Sequence, residues 1–257
     1  MSYETIILDK KEGYAVLTLN RPPANPINRK LLLEMEAALE TVEKDEAVRA
    51  IVITGAGEKV FSAGADLKAG TSEEGIFKFL PVVHRVFNQI ENYPKPVIAA
   101  INGHALAGGC EMVLACHLRI MDQKALIGLV ETTVGIFPGG GGTQRLPRLI
   151  GKGRALEYIL FSTRLSAQEA LQLGLVNKVV EPGKALDEAE NWARRLSLMA
   201  PLTTAAVLKV VNSGLEMPLD KGLEYEIELF DEVIDTEDAR EGVKAFLEKR
   251  RPKFVGR

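Results

Sequence analysis

The chain has 257 residues, 46% of them hydrophobic, enough to bury a sizeable core in one large domain or two unequal ones. Its 32 basic and 35 acidic residues leave a net charge of −3, which offers nucleic acid or anionic lipid no general positive field, so a polyanionic ligand must be met locally. The opening MSYETIILDKKEG has no basic segment ahead of an apolar one, and no apolar run is long enough to span a bilayer; the expectation is a soluble, cytoplasmic protein without membrane or nucleic-acid partners.

Residues 5–8 and 14–19 are β-branched runs either side of Gly13 and predict two strands joined by a turn. A helix follows over 29–42, with Leu32, Met35, Leu39 and Val42 on one face and Glu34, Glu36, Glu40 and Glu43 left to solvent. Residues 48–54 form a near-continuous apolar run of the kind buried on both faces of a sheet. The helical stretch 73–92 is interrupted at Pro81 and stopped by Tyr93-Pro-Lys-Pro96. Then come a buried strand at 96–103, a short buried helix at 105–115 and strands at 117–121 and 125–130. Past Gly142 the balance reverses, with helices at 143–161, 166–173, 186–199, 201–213, 218–234 and 236–250 and one strand at 175–180. A βα core with an all-helical tail, packed on that core or on another subunit, is the organisation this order predicts.

Three glycine-bearing loops are candidates for chemistry. Gly55-Ala-Gly57 follows a strand but lacks the third glycine of a dinucleotide fingerprint, and no phosphate-binding G-x-x-x-x-G-K-[ST] occurs. Gly139-Gly-Gly-Gly142 has the look of a phosphate cradle, yet it precedes a helix that Thr143 can cap, and a close-packed turn is the preferred reading. In the loop 61–68, FSAGADLK, small residues leave backbone N–H groups able to reach a ligand oxygen. Gly108 and Gly109 begin the short buried helix, where unpaired N–H groups favour negative charge; two such donors on one carbonyl oxygen make an oxyanion hole. Glu111 lies one turn further along that helix, and Glu131 closes the apolar run 125–130. Carboxylates at the edge of apolar segments have raised pKa values and suit proton transfer, unless each simply pairs with an arginine, Arg119 and Arg145 being possible partners, or caps a backbone. Cys110 and Cys116 make neither a disulfide framework nor a zinc site. A cysteine nucleophile at Cys110 served by His84, His104 or His117 competes with the plainer reading of a small buried thiol, and His104 with that of a turn histidine bonded to backbone.

Three motifs, FSAGADLK at 61–68, ALAGGCE at 105–111 and GLVETTVGIFPGGGGTQRLPRLIG at 128–151, together resemble the crotonase (enoyl-CoA hydratase/isomerase) superfamily over essentially the whole chain. The resemblance implies an α/β fold, a spiral of repeated ββα units over 1–195 with the CoA and catalytic site, and a C-terminal helical oligomerisation region over 196–257. It implies an acyl-CoA thioester substrate whose carbonyl is gripped by the backbone N–H groups of Ala65 and Gly108. Glu111 and Glu131 match the two glutamates that hydratases of the family use to add water across a C2–C3 double bond, Glu131 moving the proton at C2 and Glu111 activating the water. Ala63, Asp66, Leu67 and Lys68 fall in the CoA-binding segment, and Phe230 and Lys249 where the helical tail can help close it. No metal or redox cofactor is implied, coenzyme A being part of the substrate.

Within the family, isomerases commonly keep the carboxylate matching Glu131 and lose the one matching Glu111, so having both favours hydration. The segment 69–86, with Gly70, Pro81 and the pocket candidates Phe77 and Phe79, departs from the hydratases compared, as does Arg21-Pro-Pro-Ala-Asn-Pro-Ile27. An isomerase, a dienoyl or cyclic-enoyl hydratase, and a non-catalytic acyl-CoA- or RNA-binding scaffold stay open as alternatives. The basic run Lys249–Lys253 reads either as an RNA contact or as a solvated helix end. The apolar tail residues Leu215, Leu219, Leu223, Ile227 and Phe230 exceed what a small tail can hide, which together with the resemblance predicts a homotrimer or a hexamer of paired trimers.

Overall fold

The computed structural model describes residues 3–67 and 76–257, with side chains for all of these but 76–78. An antiparallel hairpin of β1 (Ile6–Lys10) and β2 (Gly13–Leu19) opens the chain, followed by α1 (Arg29–Glu43), whose first turn is capped by the Asn28 side chain accepting from the Leu31 N–H. A strand–strand–helix unit then recurs: β3 (Val48–Gly55), β4 (Val60–Ser62) and α2 (Ile76–Glu91); β5 (Val97–Ile101), β6 (His104–Leu106) and α3 (Gly108–Ala115); β7 (Leu118–Asp122), β8 (Leu126–Gly128), a 3-10 turn at Glu131–Val134 and α4 (Gly142–Ile150). After α5 (Lys152–Leu160), β9 (Leu165–Ser166), α6 (Ala167–Gln172) and β10 (Lys178–Val180), the chain ends in α7 (Ala185–Leu196), α8 (Pro201–Gly214), α9 (Leu219–Ile234) and α10 (Glu237–Leu247).

In each unit the first strand enters a six-stranded sheet of order β1-β2-β3-β5-β7-β10 and the second a four-stranded sheet of order β4-β6-β8-β9. Beyond the β1–β2 hairpin and the β8–β9 pair, neighbouring strands are parallel. The period of two along each strand explains the continuous apolar runs. Leu17, Ile51, Ile53, Ala99 and Met121 face one core with α1, α2 and α3; Val16, Ala50, Val52, Ile98 and Ile120 face a second core closed by Ala189 and Ala193 of α7. The repeated ββα spiral and the C-terminal helices expected from the resemblance are both present.

Several boundaries differ from those the sequence predicts. Helix α2 runs through Pro81 unbroken; one forfeited hydrogen bond is outweighed by burying Val82, Val83, Val86, Phe87 and Ile90. The helix expected at 105–115 starts at Gly108, because Ala105 pairs with Ile127 in the second sheet. The strand expected at 125–130 ends at Gly128, so Glu131 opens a 3-10 turn instead of closing a strand. Thr143 caps nothing: α4 begins one residue earlier, at Gly142, and Gly151 separates it from α5 where one helix was expected. The strand at 175–180 shortens to Lys178–Val180, while Leu175 and Val176 sink into the core.

No residue of α8 is buried, α9 buries only Leu229, and Leu215, Leu219, Leu223, Ile227 and Phe230 all stand exposed. Among the described residues, no single helix is long and apolar enough to cross a membrane. The last residues fold back under α10: buried Asp238 accepts from the N–H groups of Val255 at 2.6 Å and Gly256 at 2.8 Å, and Arg49 of β3 donates to the Phe254 carbonyl at 2.8 Å. Asp238→Ala removes a charged acceptor from both N–H groups and is expected to lower the unfolding free energy by about 2 kcal/mol. Urea unfolding measures that loss, and faster tryptic release of the segment beyond Arg250 reports the freed tail.

Candidate active site

The turn from β6 into α3 is made by Ala107, held at φ 50° and ψ −126°, a conformation that side-chain-bearing residues rarely adopt. It sets the N-terminus of α3 against the segment following β4. There Ile27 and Ala65 form a parallel bridge, in which the Ile27 N–H donates to the Gly64 carbonyl and the Asp66 N–H to the Ile27 carbonyl, both at 2.8 Å. A parallel bridge uses the groups of the flanking residues, so the N–H of Ala65 points away from Ile27. A side chain at Gly108 would come within 3.5 Å of that Ala65 nitrogen. Gly64 allows the approach: its φ is +97°, and a Cβ there would lie 2.7 Å from the Ala107 Cβ and 2.9 Å from the Gly108 nitrogen. The two predicted donors, Ala65 and Gly108, are thus neighbours in space.

Glu111, one turn along α3, is 4% exposed, and its Oε1 accepts from the N–H groups of Gly140 at 2.7 Å and Gly142 at 2.9 Å. The glycine run is therefore a cradle for a carboxylate of the protein itself. A Cβ on Gly140 would lie 2.6 Å from Oε2 of Glu111, so the backbone comes this close only because the side chain is absent. Burial raises the Glu111 pKa above the ordinary carboxylate value; the two N–H donors and the charges of Arg145 and His84 oppose that rise.

Glu131 is 8% exposed, and its buried Oε2 has no hydrogen-bond partner among the described residues. Burial first, and the charge of Glu111 second, push its pKa up to about 7. Neither expected arginine partner pairs with these glutamates. Arg119 bonds the carbonyls of Leu175 and Cys116, and Arg145 pairs with Glu91 at 2.7 Å and donates to Asn88 and the Gly140 carbonyl. Two neighbouring backbone N–H groups, a cradled carboxylate and a second carboxyl group poised near neutrality are the parts needed to stabilise an enolate and move a proton and a water.

The other predicted residues are distributed unevenly. Ala63 and Leu67 are exposed beside Ala65, and half-buried Asp66 pairs with Arg21 at 2.8 Å. Lys68 and the side chain of Phe77 lie outside the described residues, and Phe79 packs on the main core. Phe230 sits exposed on α9, whose main neighbours are α8 and α10, and Lys249 follows α10. Cys110 is buried with its thiol pushed well above the ordinary value, first by burial and then by both glutamates, which removes it as a nucleophile. His104 accepts from the Leu126 N–H and His117 from the Val97 N–H, each bonded to backbone.

Sequence reasoning missed two supports of the site. Asn25, fully buried, donates to the carbonyls of Ala56, Val60 and Phe61 and thereby ties the 21–27 loop to β4. The other is the use of the Gly140 and Gly142 N–H groups, whose only signal was the glycine run itself.

A profile of the enoyl-CoA hydratase/isomerase family matches residues 9–257. A short-chain-enoyl-CoA hydratase of Clostridium acetobutylicum is 42% identical over 98% of this chain and 97% of its own. A crotonyl-CoA hydratase of Syntrophomonas wolfei is 42% identical over the full length of both. The crystal structure of an enoyl-CoA hydratase from Bacillus anthracis superposes with a TM-score of 0.95 at 41% identity, over 99% of this chain and 100% of that one.

The raised Glu131 pKa has a signed consequence for stability. Between its ordinary value of 4.5 and about 7, the unfolded chain releases this proton while the folded protein keeps it, so the contribution is complete below pH 4.5 and is lost as pH rises to about 7. Glu131→Gln is expected to abolish this loss and to be more stable than the parent at pH 8 by roughly 2–3 kcal/mol. Urea unfolding of both proteins from pH 4.5 to 8 measures the difference.

Proposed function

The chain belongs to the enoyl-CoA hydratase/isomerase family, and on that premise we propose that it is an enoyl-CoA hydratase, a hydro-lyase that adds water across the C2–C3 double bond of a 2-enoyl-CoA thioester. The observation that carries this reading is the pairing of two buried glutamates, Glu111 and Glu131, beside the N–H groups of Gly108 and Ala65. A bond shift needs one carboxyl group to carry a proton between carbons; a second one, held in a fixed cradle, has work to do when a water must be oriented and deprotonated.

In the proposed reaction, the N–H groups of Ala65 and Gly108 receive the thioester oxygen. Glu111 takes a proton from water as its oxygen bonds to C3, and the electron pair of the double bond moves onto the thioester as an enolate. Each oxyanion donor contributes about 3–4 kcal/mol at that point. Glu131, in its protonated form, delivers a proton to C2. A pKa of about 7 suits it both to give that proton and, in the reverse dehydration, to take it. No metal or redox cofactor is called for, coenzyme A entering as part of the substrate. Ala63, Asp66, Leu67 and Lys68 are assigned to the CoA approach because they flank the Ala65 donor. A cytoplasmic enzyme of fatty-acid breakdown is part of the same proposal.

We also propose that the protein works as a homotrimer or as a hexamer of paired trimers, a reading supported by the exposed apolar residues of α8–α10; Phe230 and Lys249 are assigned to closing a CoA site in that assembly. Arg250 pairs with Glu241 and Glu248, which favours the solvated helix end over an RNA contact for the basic run.

Loss of the conjugated enoyl-thioester absorbance tests the activity, with crotonyl-CoA, longer enoyl-CoAs and a cyclic dienoyl-CoA as substrates. Glu111→Gln and Glu131→Gln are each expected to lose roughly 100- to 10,000-fold in kcat. A shifted double bond with only Glu131 required marks an isomerase, and no turnover with any substrate marks a scaffold. For assembly, the double variant Leu223→Glu, Ile227→Glu is expected to sediment as a monomer where the parent sediments as a trimer or hexamer.

A further inference from the structure

The glycine turn holds Glu111 through two peptide units, and each has a carbonyl at its far end. The unit presenting the Gly142 N–H carries the Gly141 carbonyl, which accepts from the Gln144 and Arg145 N–H groups at 3.0 and 2.9 Å as α4 begins. The unit presenting the Gly140 N–H carries the Gly139 carbonyl, and its partner is a side chain from another element: Nε2 of His84, on the exposed side of α2, at 2.5 Å. A carbonyl only accepts, so Nε2 is the nitrogen that bears hydrogen here. Because the peptide unit is planar, fixing the Gly139 oxygen fixes the direction of the Gly140 N–H, and a hydrogen bond at one end of the unit strengthens the one at the other.

We infer that His84 is a positioning residue for Glu111, acting through the Gly139–Gly140 peptide to orient and strengthen the N–H that holds Oε1. The inference rests on the reading of Glu111 as the group that activates water. The chain of contacts is His84 Nε2 to the Gly139 oxygen at 2.5 Å, then the Gly140 nitrogen to Glu111 Oε1 at 2.7 Å. Titratable groups facing Glu111 come from three elements: His84 on α2, Arg145 on α4 and Glu131 on the 3-10 turn. Arg145 donates to the carbonyl of the next unit, that of Gly140, and is committed to Glu91 and Asn88, so its contact is separate from that of His84. With its ring on the surface, His84 can be removed without opening the core. Removing it weakens the N–H donor on a buried carboxylate, which raises the Glu111 pKa and loosens its aim.

The test compares His84→Ala, which loses the donor, with His84→Gln, whose amide nitrogen can restore it. An infrared titration follows the carboxyl band of Glu111, assigned by its loss in Glu111→Gln, and needs no turnover. The expected result is a midpoint raised by roughly half to one pH unit in His84→Ala and largely restored in His84→Gln, with urea stability unchanged at pH values below both midpoints. In crotonyl-CoA hydration, kcat is expected to fall roughly three- to tenfold with KM within about twofold, the pattern of a weakened hydrogen bond to a charged group. A midpoint in His84→Ala equal to that of the parent overturns the inference, as does a raised midpoint that His84→Gln fails to restore. A shifted and restored midpoint in a protein that hydrates no enoyl-CoA leaves the relay standing and removes the hydratase function instead.

Discussion

Two buried carboxyl groups lie within electrostatic reach of each other beside the first turn of α3, and the shape of the surrounding chain answers the electrostatic problem they create. Desolvation disfavours charge on either, and the charge of one disfavours charge on the other. The protein resolves this by treating them differently. Glu111 receives two backbone N–H groups, while the inner oxygen of Glu131 has no partner among the described residues. Unequal environments separate the two proton affinities, the condition under which two carboxyl groups can take different acid–base roles.

That asymmetry depends on backbone placed where side chains ordinarily stand. The cradle works because Gly140 has no Cβ to collide with Glu111, and Ala65 and Gly108 come together because Gly64 has none to collide with Ala107 and Gly108. Both loops leave the same end of the ββα repeat, where the second strand of each unit passes to its helix. The packed cores beneath fix the positions of these strand ends, and the loops inherit that rigidity.

Much of this was legible in the sequence. The alternation of apolar runs with glycine turns gave the sheet strands and their double-sided burial, and the two glutamates stood out because charge in apolar segments is costly. Less legible was anything set by contacts distant in sequence. Pro81 argued locally for a break, yet packing of α2 on α1 and α3 overrode it. Thr143 had the chemistry of a cap, but the chain had already turned helical at Gly142 to bring that N–H to Glu111. The glycine run read as a turn of unknown purpose, since its partner lies 29 and 31 residues away for its two N–H groups. The arginine pairs considered for the glutamates do not form, because Arg119 and Arg145 have carbonyls and another carboxylate nearer at hand, whereas the other alternative, a carboxylate held by backbone, is what Glu111 shows.

The cover that α7 lays over the far side of the main sheet has a meaning for how the chain reaches this state. Strands β2, β3, β5 and β7 come from residues 13–122, but Ala189 and Ala193, which close the face made by Val16, Val52, Ile98 and Ile120, come from the last third of the sequence. During synthesis from the N-terminus the sheet therefore assembles with one greasy side open to water until α7 has been made. Parallel pairing is already slow, because its contacts join distant parts of the chain, and the wait lengthens the time that surface can stick to other nascent proteins. A ribosome that stalls before Ala185 would release a chain that has both buried glutamates and still has the Val16, Val52, Ile98 and Ile120 face uncovered.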